Sequence, residues 1–212
     1  MSPRRRSRSL KLGLFSKRAF SAGLLAQLVF LCGQASFFLV LALYLEQGRG
    51  LSALQAGLVF TILAGAYLVA SLGAPALAVR HGRRVLAAGA LVLASGHAIL
   101  LATVAGVGTH GSVLALVPGL VLIGAGMGLG ITPLATIIMS SMEAAEAGAA
   151  SGALSTMQNV GNAIGVAIIG VIFFGALHSG FAEAFELSLA ALAGILVVVA
   201  VLTRLLPATE RA

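Results

Sequence analysis

The chain has 212 residues, of which 59% are hydrophobic and only 9% are charged, and its mean hydropathy is +1.09. A soluble globular domain of this length lacks the interior to bury so many apolar groups, so the composition excludes that class. The formal net charge of +7 would favour nucleic acid in a soluble protein. Here we expect no nucleic-acid partner, and the basic residues are better explained as anchors beside anionic lipid headgroups.

Long uncharged stretches separate small charged clusters along the chain, and the longest of them, 85–142, is divided by the turn-rich segment 106–112. A spanning helix needs about 20 apolar residues. The sequence predicts an all-α integral membrane protein with spanning helices near 19–45, 54–79, 85–106, 112–140, 149–176 and 184–206. A basic cytoplasmic segment (1–18) would precede this six-helix transmembrane bundle (19–206), and a cytoplasmic tail (207–212) would follow it.

The positive charges predict the orientation in the membrane. Six spans put both termini on one side, and that side would receive every Lys and Arg except Arg49. Cytoplasmic loops of membrane proteins are enriched in Lys and Arg. We therefore expect a multi-pass protein of a bacterial-type inner membrane with both termini in the cytoplasm.

The first and fifth predicted helices carry uncharged polar side chains at helical spacing. Such groups are costly in lipid, so they should point into the bundle or toward a water-filled cavity. The resulting substrate-path candidates are Gln27, Gln34, Ser155, Gln158, Asn159 and Asn162. Hydrogen bonding between helices is the competing explanation.

His97 lies in the middle of the third predicted helix, whereas all six carboxylates fall outside the helix cores. Histidine titrates near neutral pH, which makes His97 the candidate proton relay of this chain. A neutral imidazole hydrogen-bonded to a neighbouring helix is the simpler explanation, because an isolated histidine without a carboxylate partner is a poor relay.

The fourth predicted helix contains four glycines spaced two residues apart, so alternate glycines share a face. Small residues let neighbouring helices approach closely, and a proline in the same helix can kink it. Glycines spaced four apart on the fifth helix predict a similar close contact. The candidates for gating or packing are Gly124, Gly126, Gly128, Gly130, Pro133, Gly161 and Gly165.

Three segments together resemble one family. The segment 44–58 resembles the outer loop entering the tenth helix of the 14-helix drug:proton antiporters of the major facilitator superfamily, and the segments 124–133 and 146–165 resemble that family's eleventh-to-thirteenth-helix region. The resemblance implies that residues 10–206 correspond to the C-terminal six helices of such an exporter. It implies a partial transporter that exports small hydrophobic or cationic drugs by proton antiport, together with the missing N-terminal helices or a second copy of itself.

A loop at 75–84 resembles the superfamily's Gly-x-Leu-Ala-Asp-Arg-x-Gly-Arg-Arg motif. The matching residues are Arg80, Gly82, Arg83 and Arg84. Pro75 stands where the motif has its first Gly, and Val79 stands where it has Asp. The Asp-dependent charge network implied by the motif therefore cannot form here, which leaves topology anchoring as the simpler role of the arginines.

Other functional classes find less support. The sequence has no Gly-x-Ser-x-Gly nucleophile turn, so we expect no enzyme and no catalytic residues. The single cysteine, Cys32, has no metal-ligand companions, and we expect no metal site and no cofactor. A noncatalytic membrane assembly and an inactive truncated transporter are the alternatives to a partial transporter. Tyr44, Phe173 and Phe174 lie near the outer helix ends, where we expect them to act as interfacial anchors.

Overall fold

A computed structural model of the chain contains six long α-helices and no strand within the residues that it describes. It describes the backbone of residues 18–81, 83–140 and 147–205, and side chains chiefly within 31–78, 87–130 and 155–196. The helices are α1 (Arg18–Leu43), α2 (Ala53–His81), α3 (Arg83–Val107), α4 (Val117–Ser140), α5 (Ala147–Ala176) and α6 (Phe181–Leu205). The prediction of an all-α six-helix bundle is confirmed.

Short, hydrogen-bonded connections join the helices at one end of the bundle, which we call the Tyr44 end. A π-helical turn (Tyr44–Gly48) extends α1, and 3₁₀ turns (Val113–Leu116 and Leu177–Ser179) precede α4 and follow α5. The Ser52 amide donates to Gln55 Oε1 while the Gln55 amide donates to Ser52 Oγ, so a capping box starts α2. At the turn predicted over 106–112, Gly108 has a φ of 56°, which glycine adopts without steric cost.

The sequence predicted a loop over residues 75–84, and this prediction is wrong because the connection is much shorter. Helix α2 continues through Pro75 to His81, and α3 begins at Arg83. Only Gly82 lies between them, outside the described residues. A helix satisfies its own backbone hydrogen bonds whether or not its side chains are charged, so the end of an apolar stretch does not mark the end of a helix.

Helix α4 lies between α2 and α3 and contacts both through its glycines. A Cβ atom at Gly128 would lie 2.7 Å from a carbonyl oxygen of α2, and one at Gly126 would lie 2.5 Å from an amide nitrogen of α3. No side chain fits at those distances, so the helix backbones pass each other at close range. The two alternating faces contact different helices: Gly124 and Gly128 meet α2, while Gly126 and Gly130 meet α3.

Helix α1 packs against α5 and α6. A Cβ atom at Gly165 of α5 would overlap the backbone of Cys32 on α1, so these two backbones are in direct contact. Gly161, one turn earlier, is also buried. By contrast, a Cβ atom at Gly148 or Gly152 would have no neighbour within 4 Å, so this glycine pair contacts no helix in the described part of the chain.

The helix contacts have an internal symmetry that relates the first three helices to the last three. Helix α4 packs against α2 and α3, and α1 packs against α5 and α6, so exchanging α1, α2 and α3 with α4, α5 and α6 leaves the pattern unchanged. Helices α3 and α6 contact each other across the bundle. Internal repeats of this kind are common in polytopic membrane proteins, and this one leaves α2 and α5 with large exposed faces.

Several of the described helices have the length and composition of membrane spans. Four segments are long and apolar enough to cross a bilayer: Ala53–Ala78, Ala87–Val107, Val113–Gly130 and Ser155–Ser179. Large apolar side chains on them point away from the bundle, and Leu72 and Val171 are both 75% exposed. Lipid can cover such surfaces, so the chain is a multi-pass membrane protein.

The contact between α1 and α5 yields a stability prediction. We expect Gly165→Ala to lower the free energy of unfolding by about 1–3 kcal/mol, because the added methyl group would overlap the Cys32 backbone. Gly170→Ala on the same helix is the matched control, since its Cβ atom would meet no atom within 4 Å. Thermal unfolding of the purified chain in detergent measures both, and equal midpoints for the two variants would contradict the close contact.

Candidate functional site

Helix α5 carries exposed polar side chains within a membrane-spanning sequence. We call the following set the polar face of α5: Ser151, Ser155, Gln158 and Asn159, which are exposed, and Asn162, which is half-buried. The Ser151 hydroxyl donates to the Gly148 carbonyl at 3.0 Å, so it needs no partner outside the helix. The three amides make no such bond, and no other described residue bonds them.

The opposite side of α5 is apolar and also points outward. Val160, Ile164 and Val171 are 41%, 43% and 75% exposed. Because an α-helix turns about 100° per residue, these three side chains lie across the helix from Ser151 and Asn162. The apolar side suits lipid, so the polar face requires water or another protein surface.

The glutamines of α1 are not brought to the polar face of α5 by any described contact. Gln34 is half-buried and lines a small internal cavity together with residues of α3, α4 and α6. The side chain of Gln27 lies outside the described residues. Among the described substrate-path candidates, those of α5 are thus at its surface, whereas Gln34 lines a cavity in the bundle.

His97 lies beside the same cavity and is only 3% exposed. Its Nδ1 lies 2.8 Å from the Leu93 carbonyl oxygen, one turn earlier on α3, and its ring meets the Phe37 ring edge-on at 5.2 Å between centroids. Its hydrogen bond is thus made within its own helix, not to a neighbouring helix as the simpler sequence-based explanation expected. The structure places His97 away from the polar face of α5.

The arginines of the predicted loop motif lie at the end of the bundle opposite the Tyr44 end. Arg80 is exposed on the last turn of α2. Arg83 and Arg84 begin α3, and their side chains lie outside the described residues, as does the side chain of Pro133 on α4. Their predicted roles stay predictions.

The described carboxylates of α6 lie at the Tyr44 end. Glu183 and Glu186 line a groove of about 630 Å³ whose apolar wall includes Leu101 and Val104 of α3. This groove contains none of the predicted site residues. It is separate from the polar face of α5.

A hydrogen-bonded cluster at the Tyr44 end was not predicted from the sequence. Tyr44 is fully buried, and its hydroxyl donates to the Gly108 carbonyl at 2.6 Å. The Arg49 guanidinium donates to the Tyr44 hydroxyl at 3.1 Å and to the Gly111 carbonyl. The Tyr44 ring stacks on Phe185, with centroids 4.5 Å apart. The cluster joins the end of α1 to α6 and to the connection between α3 and α4.

The prediction that Tyr44 and Phe173 are interfacial anchors is therefore wrong, because both are fully buried in the core. Position along a helix indicates depth in the membrane but does not show which face a side chain occupies. Phe174 is 59% exposed, and its interfacial role stays a prediction. The signal that could have identified the cluster is Arg49, the one positive charge that the sequence places on the outer side, five residues after a tyrosine.

Comparison with known proteins identifies one family and several relatives that are named as exporters. The sequence pattern of the Major Facilitator Superfamily matches residues 23–212. The chain is 37% identical to the "Probable actinorhodin transporter" of Streptomyces coelicolor over 80% of this chain and 30% of the relative. It is 31% identical to the "Multidrug efflux pump LfrA" of Mycolicibacterium smegmatis over 80% of this chain and 34% of the relative.

A third relative covers more of the chain. The "Cephamycin export protein CmcT" of Amycolatopsis lactamdurans is 33% identical over 93% of this chain and 41% of the relative. The chain thus spans between 30% and 41% of the length of these curated relatives. Similarity of this extent concerns one part of each relative.

The Tyr44 cluster yields a second stability prediction. We expect Tyr44→Phe to cost about 1 kcal/mol of unfolding free energy, because it leaves the half-buried Gly108 carbonyl and an Arg49 N–H without their partner. Tyr67→Phe is the matched control, since Tyr67 is half-buried and its hydroxyl bonds no residue that the structure describes. Thermal unfolding in detergent compares the two variants. An equal loss in both would mean that the cluster adds no stability.

Proposed function

Because the chain belongs to the Major Facilitator Superfamily, we propose that it is one half of a two-bundle transporter that exports hydrophobic or cationic drug-like molecules. The observation that carries this proposal is the polar face of α5. Its amides are exposed opposite a lipid-compatible face, and lipid cannot satisfy them. A substrate path between two bundles would supply both water and a binding partner for them.

The names of the relatives support export as the direction of transport and drug-like molecules as the class of substrate. An actinorhodin transporter, a multidrug efflux pump and a cephamycin export protein share 31–37% identity with the chain. The polar face of α5 carries no charge. A charge-poor, partly polar lining favours bulky lipophilic or weakly cationic molecules over sugars or amino acids.

The proposed assembly needs a second bundle opposite the polar face of α5. Two occupants fit this chain: the N-terminal helices of a longer protein, as in the 14-helix antiporters, or a second copy of itself. The lengths of the relatives favour the first, because the chain aligns with 41% of a relative's length at most among the three compared. Transport and not catalysis is the activity of this assembly.

Proton antiport is the proposed source of energy. A proton-driven carrier needs a titratable group that alternates between the two membrane faces. The chain has six carboxylates, all outside the predicted helix cores. The three that the structure describes, Glu46, Glu183 and Glu186, lie at the Tyr44 end, and His97 is enclosed in the bundle. We therefore assign the coupling carboxylate to the second bundle.

The proposed location is the inner membrane of a bacterium, with both termini in the cytoplasm. Arg80, Arg83 and Arg84 lie at the end of the bundle where α2 ends and α3 begins, and a cytoplasmic position of this end satisfies the positive-inside rule. The Tyr44 end, with Arg49, then faces outward.

Export measured on polar-face variants tests the proposal. We expect Gln158→Leu and Asn159→Leu each to change the export rate of a fluorescent cationic dye by roughly fivefold, because a substrate contact of about 1 kcal/mol is lost. The assay uses vesicles with an imposed pH gradient that contain the chain together with its second bundle. Membrane insertion should be unchanged, since both side chains are exposed.

Val160→Leu is the matched control, because it changes an exposed apolar side chain at the same depth on the opposite side of α5. Its export should equal that of the unmodified protein. Normal export by both polar-face variants across several dyes would assign the amides to packing and remove the main support for the proposal. An assembly without any pH-dependent export would favour an inactive remnant.

A further inference from the structure

A small cavity in the core of the bundle is lined by a histidine, one of whose ring nitrogens has no described hydrogen-bond partner. The cavity lies among α1, α3, α4 and α6 and is lined by Gly33, Gln34, Phe37, Leu93, His97, Met127, Leu192 and Leu196. Three polar side chains are fully buried in the described part of the chain: Ser36, His97 and Ser188. Both serine hydroxyls donate to carbonyls of their own helices, at 2.5 Å and 2.8 Å. Only the histidine has a second polar atom to satisfy.

The contact of His97 with its own helix fixes which ring nitrogen carries the proton. A carbonyl oxygen can only accept, so Nδ1, at 2.8 Å from the Leu93 carbonyl, must be the donor. In the neutral imidazole Nε2 is then an acceptor with a lone pair. No described residue donates to Nε2, although the side chain is only 3% exposed. A buried acceptor without a donor costs about 1–3 kcal/mol.

The cavity next to the ring has the size and the second polar wall that one water molecule needs. Its volume is about 10 Å³, at the lower limit of roughly 10–15 Å³ at which a cavity holds a single water. Gln34 lines the same cavity from α1 and makes no direct hydrogen bond to His97 in the structure. A carboxamide can accept from a water molecule or donate to it, so either orientation of Gln34 suits a bridge.

We infer that a single water molecule occupies this cavity and bridges His97 Nε2 on α3 to the Gln34 carboxamide on α1. The water donates one hydrogen to Nε2 and makes its second hydrogen bond with Gln34. Both partners stay uncharged, so the bridge satisfies the buried acceptor without placing a charge in the core. The bridge explains why two polar residues can face a cavity whose other walls are apolar and does not depend on the proposed function.

Solid-state NMR on the full chain in lipid bilayers, with ¹⁵N-labelled histidine, tests this inference. The chain has four histidines, and His97→Phe identifies the His97 signals by their loss. We expect Nδ1 to be protonated, Nε2 to be unprotonated, and magnetisation to pass from water to the His97 ring. A protonated Nε2, or a His97 ring that receives no magnetisation from water, would overturn the inference, and the latter would indicate a direct bond or an unsatisfied nitrogen.

Two variants locate the second partner of the water. Gln34→Met keeps the length of the side chain but removes its polar atoms, so transfer from water to His97 should be lost. Met127→Leu is the matched control, because it changes an apolar wall of the same cavity and should retain the transfer. Transfer that persists in Gln34→Met would exclude Gln34 as the partner and overturn the bridge. The measurement on the unmodified chain does not depend on the folding of either of these two cavity variants.

Discussion

Hydrocarbon offers polar groups no hydrogen bonds, so every backbone amide of a spanning segment must be satisfied within the protein. The same constraint governs the side chains of this chain. Ser36, Ser151 and Ser188 donate to carbonyls of their own helices, and His97 does the same through Nδ1. The amides of the polar face of α5 have no hydrogen-bond partner among the described residues, which is why we propose that this surface is free of lipid.

Close helix packing stabilises this bundle, whereas the hydrophobic effect stabilises soluble proteins. Lipid tails are as apolar as leucine, so helices associate through backbone contact and shape. Gly126 and Gly128 bring α4 against two neighbours, and Gly165 brings α5 against α1. These contacts follow the internal repeat of the bundle and leave α2 and α5 with exposed faces, one of which is polar. The second bundle that we propose would cover this polar face.

Sequence patterns could predict those features that depend on helical periodicity. The six helices, the two faces of the α4 glycines and the shared face of Ser155 and Asn162 all follow from 3.6 residues per turn. Features that depend on contact between distant segments could not be predicted. Tyr44 bonds a carbonyl 64 residues away, and the cavity beside His97 needs four helices in place before it exists. The continuation of α2 through Pro75, inside the predicted loop, was also missed, because hydropathy reports the lipid boundary and not the end of the backbone hydrogen bonds.

The central claim, that the polar face of α5 meets water inside the membrane, can be tested by thiol labelling. The single cysteine, Cys32, is buried, and replacing it with alanine removes the background. Cysteine placed at Asn159 or at Val160 then samples two sides of α5 at one depth. A thiol reacts as the thiolate, which requires water. The account predicts that Asn159→Cys in native membranes is labelled by a hydrophilic maleimide and Val160→Cys is not; equal or reversed labelling would contradict it.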